Sequence, residues 1–167
     1  GTIIFGLNRE NTIILAVTMS SLVFDFIVRQ KVGGTNLNQF YVKQFPVIDY
    51  NSITGEVIDY ITSRGADLMY TSSLMANSKD TQLHLWDPES RATYRAELDA
   101  LYARLYGLNR EELMYILDPE SVMGKDYPSQ TFPGLKNKEL REYGEYRTMR
   151  LVLEAWDRQE RQPELWQ

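Results

Sequence analysis

Arg29, Lys31 and Lys43 flank a short stretch, Gly33-Gly34-Thr35-Asn36-Leu37-Asn38-Gln39, in which amide and hydroxyl side chains follow two glycines. Such residues suit recognition of nucleic acid. The glycines let a backbone approach closely, Thr35, Asn36, Asn38 and Gln39 offer neutral donors and acceptors that can read base edges, and the three cations can neutralise phosphates. A second reading of the same residues stays open: Gly33-Gly34 terminates a helix, and Arg29 and Lys31 serve the negative end of its dipole.

Catalytic chemistry is harder to find. His84 is the only histidine and cysteine is absent, which removes hydrolytic triads, thiol nucleophiles, cysteine-based zinc sites and two-histidine metal sites. Nothing in Gln82-Leu83-His84-Leu85-Trp86 supplies a nucleophile or second ligand for His84. No phosphate-binding Gly-rich loop with a following Lys-Ser/Thr and no Gly-x-Gly fingerprint occurs, nor any Glu-x-Lys pair of the kind metal-dependent nucleases use. The carboxylates Glu111-Glu112 and Asp118/Glu120 sit around expected helix ends, where charged residues are ordinarily solvated caps.

The bulk numbers agree with recognition confined to one part of the chain. Its 167 residues are 43% apolar, enough for a packed core, and carry a formal charge of −5. That charge opposes non-specific nucleic-acid binding by the whole surface. Residues 1 to 50 hold Arg9, Arg29, Lys31 and Lys43 against Glu10, Asp25 and Asp49, while the acidic excess lies further on. With no apolar run long enough for a membrane helix and no leader-like start, the expectation is a soluble cytoplasmic protein.

The elements that must hold these residues read as follows. Thr2-Ile3-Ile4-Phe5 and Thr12-Ile13-Ile14-Leu15-Ala16-Val17 are β-branched runs around Asn8-Arg9-Glu10-Asn11, which predicts paired strands. Met19, Leu22, Val23, Phe26 and Ile27 at helical spacing, with Thr18 as N-cap, predict a helix ending at Gly33-Gly34, and Phe40–Phe45 reads as a strand stopped by Pro46. From about Thr54 a helix carries Val57, Ile58, Ile61, Leu68 and Met69 on one face. Gly65 lies on that face and either admits a neighbouring helix or ends a shorter one.

Asp87-Pro88 starts a helix running to Gly107, with a stripe of Tyr94, Leu98, Leu101, Tyr102 and Leu105, and Asn109 with Glu112 starts a short one through Leu117. Residues 119 to 134 read as an irregular connection. A last helix over Leu135–Arg161 is apolar on two sides, Met149, Val152, Leu153 and Trp156 against Leu140, Tyr143 and Leu151. Either Gly144 resets its register or the helix is sandwiched between partners.

The segment Ser20-Ser21-Leu22-Val23-Phe24-Asp25-Phe26-Ile27-Val28-Arg29-Gln30-Lys31-Val32-Gly33-Gly34-Thr35-Asn36-Leu37-Asn38, followed by Gln44-Phe45-Pro46-Val47, resembles the closing part of target-recognition domains in adenine-N6 DNA methyltransferases of type IIG-like restriction-modification systems. Tyr106–Pro119 and Glu139–Asp157 are similar to the helical tail of the same family. The resemblance implies an α+β, mainly α fold: a partial target-recognition domain with a small β/α portion over residues 1–50, then a helical spacer and tail over 51–167. It further implies double-stranded DNA as partner, contacted by Arg29, Lys31, Gly33, Gly34, Thr35, Asn36, Asn38, Gln39 and Lys43, and an upstream methyltransferase domain, in some members with a nuclease, that uses S-adenosylmethionine. The family's glycine-bearing cofactor site and Asn/Asp-Pro-Pro-Tyr/Phe motif are missing from this sequence, so catalysis and S-adenosylmethionine are expected only of a longer parent. The alternative is a helical interaction module that docks methyltransferase or nuclease domains without touching DNA.

Overall fold

The computed structural model describes residues 8–32, 39–49, 52–71 and 86–162. These form α1 (Arg9–Ser20), α2 (Leu22–Lys31), α3 (Gln39–Val42), α4 (Gly55–Met69), α5 (Pro88–Leu105), α6 (Arg110–Leu117), α7 (Pro119–Met123), α8 (Pro133–Tyr143) and α9 (Arg147–Glu160).

The expected β portion is overturned where it can be seen: there is no strand among the described residues. Thr12–Val17 lies within α1. Asn8 caps that helix, its side chain accepting from Asn11 N at 2.7 Å, and Ile13, Ile14 and Val17 form one buried face against α4. Burial of that face outweighs the modest strand preference of β-branched residues. Thr12 and Thr18 turn their hydroxyls back onto the carbonyls of Asn8 and Ile14, each at 2.8 Å. Phe40–Phe45 forms α3 and a turn, and no strand among the described residues lies beside it to pair with it. Thr2–Phe5 lies outside the described residues.

Thr18 is likewise not the cap of α2. That role falls to Ser21, at a bend of 64° between α1 and α2. Among the described residues no single helix is long and apolar enough to cross a membrane.

α5 is the axis of the fold, with Asp87 as its N-cap, accepting from Ser90 N at 2.8 Å, and Pro88 at its first turn. Leu98, Leu101 and Tyr102 pack with α1 and with Val57 and Ile61 of α4. Its other side carries Ala96, Ala100 and Ala103, which meet Val23 of α2, Leu113, Ile116 and Leu117 of α6, and Val152, Ala155 and Trp156 of α9. Alanines at those positions permit close approach, because a larger side chain would hold the helix axes apart. The expected stripe through Leu98, Leu101 and Tyr102 is therefore one of two buried faces. Both cores draw residues from α1–α2 and from the helices after residue 50.

Gly65 is the close-approach residue: a Cβ there would overlap Ile13 Cγ2 and stand 2.9 Å from Val17 Cγ2. The expected capping box of α6 is present, with Glu112 N donating to Asn109 Oδ1 at 3.0 Å and Asn109 N to Glu112 Oε2 at 2.8 Å. Residues 119–134 are less irregular than expected, since α7 starts on Pro119. The long final helix is two helices. Gly144, at φ +74°, ends α8 in the left-handed region, which favours glycine. The two apolar sides thus belong largely to different helices: Leu140 and Tyr143 to α8, Met149 to Trp156 to α9.

Candidate nucleic-acid interface

α2 is the element that aims Arg29 and Lys31, and both of its ends show how. At its start the Ser21 side chain accepts from Phe24 N, and the Asp99 carboxylate of α5 accepts from Leu22 N at 2.8 Å. Two of the four donors that a helix start leaves unpaired are so satisfied. Burial pushes the Asp99 carboxyl up to about 7, against the opposing pull of the Leu22 N–H and of Arg95. Val23 and Phe24 are buried, so the helix is locked to the core along one face while its last turn stands in solvent.

In that last turn Arg29 donates to Asp25 at 2.9 Å and lies 5.6 Å over the Phe132 ring, whereas Lys31 is exposed. The chain past α3 returns to the same region: Phe45 packs edge-on to Phe24 with ring centroids 5.7 Å apart, and Tyr106 Oη donates to the Pro46 carbonyl at 2.7 Å. Lys43, exposed two residues before Phe45, is thereby held on a segment pinned to α2 and to the end of α5. Gln39 opens α3. Gly33, Gly34, Thr35, Asn36 and Asn38, and the side chain of Gln39, lie outside the described residues, as does His84.

Two further charged groups fix the tail. Glu139 of α8 accepts from Thr148 N at 2.7 Å and from its hydroxyl at 2.6 Å, so a side chain from α8 caps α9, whose own N-cap, Tyr146, makes no such bond. Lys136 bridges Asp118 and Glu120 at 2.8 and 2.9 Å. Tyr146 Oη is buried without a hydrogen-bond partner among the described residues. Burial first, then the carboxylates of Glu139, Asp118 and Asp99, push its phenol far above the ordinary range.

Sequence reasoning overlooked a groove of about 730 Å³ where α1, the start of α2, α4, α5, α8 and α9 meet. Arg91, Arg95, Lys138 and Arg147 line it, with Trp86 and Tyr143 at its edge. The available signal was the repetition of arginine at i and i+4 on α5, which puts like charges on neighbouring turns.

No protein-family model matches the chain, and no curated protein and no solved structure does either.

Proposed function

We propose that this chain is the DNA sequence-recognition and spacer part of a bacterial adenine-N6 DNA methyltransferase of a restriction-modification system. The observation that carries the reading is the sequence from Ser20 to Asn38 with Gln44–Val47, whose described part lies on α2 and the segment after α3 with Arg29, Lys31 and Lys43 all exposed. In this reading the cations fix the duplex by its phosphates. The Gly33–Gln39 stretch reads base edges, and the helices hold both at a set distance from a catalytic domain upstream.

S-adenosylmethionine belongs to that upstream domain, where it supplies the methyl group. The residues present here do not fit it: the glycine-bearing loop is missing from the sequence. The two carboxylates in the groove beside α5, Asp99 and Glu139, are committed to backbone N–H groups of α2 and α9 instead of being free to grip a ribose.

The test is the salt dependence of DNA binding by the full-length protein. Replacing Arg29, Lys31 and Lys43 together by Ala should weaken binding and flatten the plot of log K against log salt by about 0.9 for each phosphate no longer neutralised. An unchanged slope would assign these cations to structure alone. Calorimetry on the isolated chain should show no binding of S-adenosylmethionine, and micromolar affinity there would overturn the division between the two parts.

A further inference from the structure

We infer that the groove between α5, α8 and α9 is a second seat for the phosphodiester backbone of DNA, separate from the α2 cations. In a chain of formal charge −5, four cations from three helices meet on this one concave surface: Arg91 and Arg95 from α5, Lys138 from α8 and Arg147 from α9. Two carboxylates line it against these four cations, and of the two only Asp99 draws on one of them, Arg95. Asp99 and Glu139 are both buried and face helix starts, Leu22 N and Thr148 N.

The cations divide into fixed and free. Arg91 donates to the Leu68 carbonyl at 2.9 Å and stacks 3.9 Å over Trp86, and Arg147 pairs with Glu89 and stacks 4.9 Å over Tyr143. Stacked and tethered guanidiniums have given up their rotamer freedom before any ligand arrives, so less is lost on forming the fork to an anion. Arg95 and Lys138 are exposed and make no hydrogen bond or ion pair among the described residues. Arg95 stands one turn from Arg91 on α5, an arrangement that costs stability in the free protein and is relieved when an anion lies across both.

A chain of evenly spaced phosphates can meet cations on three helices at once, as no single small anion can. Trp86 and Tyr143, 64% and 47% exposed at the edge, present apolar rings to sugars and bases. An acidic peptide is the rival occupant. It would use the cations as point charges and the apolar floor as an anchor.

The experiment is fluorescence anisotropy of a labelled duplex with the chain across a salt series. Relative to the unaltered chain, Arg95→Gln/Lys138→Gln should lower the magnitude of the log K against log salt slope by about 1.8, two phosphates at about 0.9 each. Arg95→Lys/Lys138→Arg should restore it. Both positions are exposed, and circular dichroism checks that the variants stay folded. An unchanged slope overturns the inference, as does failure of the unaltered chain to bind the duplex. Displacement of the duplex by polyglutamate at matched charge overturns it in favour of the peptide. The inference does not rest on the α2 reading, and Arg29→Gln/Lys31→Gln/Lys43→Gln separates them: a slope lowered by this set alone removes the groove and leaves α2, and one lowered by the groove pair alone does the reverse.

Discussion

Asp99 and Leu22 are 77 positions apart, yet the carboxylate of the first accepts the backbone N–H of the second at 2.8 Å, and this bond joins the central helix to the start of the helix that ends in Arg29 and Lys31. The carboxyl is buried and its proton is held up to a pH of about 7, against an ordinary 3.8. Between those values the folded chain binds a proton that the unfolded chain has released, so this group's contribution to stability is complete below about pH 4 and is lost as pH rises through 7.

Asp99→Asn keeps an acceptor for Leu22 N and removes the titration. Thermal melts from pH 4.5 to pH 8 should therefore show the unaltered protein losing stability relative to the variant as pH rises, with the variant the more stable at pH 8. Parallel curves would mean that the carboxyl titrates as in water.

Gly65→Ala should destabilise, because the new methyl enters space held by Ile13 and Val17. Overpacking costs about 1–3 kcal/mol and the better helix propensity of alanine returns about 1 kcal/mol. Gly55→Ala, in open space on the same helix, serves as the control and should be neutral or better. Equal chemical-denaturation midpoints for the two would mean that α1 and α4 can part without loss.

Asn109→Ala removes both the side-chain half of the capping box and the geometry that lets Glu112 answer it. A loss of about 1 kcal/mol in urea unfolding is expected, with Glu112→Ala costing less. A loss below about 0.3 kcal/mol would show that α6 is held by Leu113, Ile116 and Leu117 alone.

On the reading proposed above, substituting Asn36 or Asn38 in a parent methyltransferase should change relative rates among DNA sites, whereas Leu101→Ala and Trp156→Ala should lower activity on all sites alike through a core-truncation cost of about 2–5 kcal/mol. Leu101 belongs to the core with α1 and α4, Trp156 to the core with α2 and α6, so the pair probes both faces of α5. Methylation profiling on a random-sequence library distinguishes the outcomes. A changed site preference in the Leu101 and Trp156 variants with none in the Asn36 and Asn38 variants would reverse the assignment.

Local signals sufficed at several helix starts, though not at α2, where Ser21 and not the expected Thr18 is the cap. Asp87-Pro88, the Asn109–Glu112 box and the face shared by Val57, Ile61 and Gly65 were legible because caps and helical spacing act over three to eight residues. The cations at the end of α2 were legible for the same reason, since Arg29 and Lys31 occupy its last turn. Gly144 announced a break and left its consequence open.

Tertiary structure decided the rest. Ile13, Ile14 and Val17 are β-branched and read as strand, but helix and strand differ little for such residues until a partner face is present, and here α4 and α5 supply it. Ala96, Ala100 and Ala103 carry so little hydrophobic contrast that a second buried face on α5 is invisible until α9 lies against it. The groove is of the same kind: Arg91 and Arg95 are adjacent on one helix, but Lys138 and Arg147 join them only because Gly144 turns the chain between α8 and α9, and convergence of separate helices is a property no window of sequence contains.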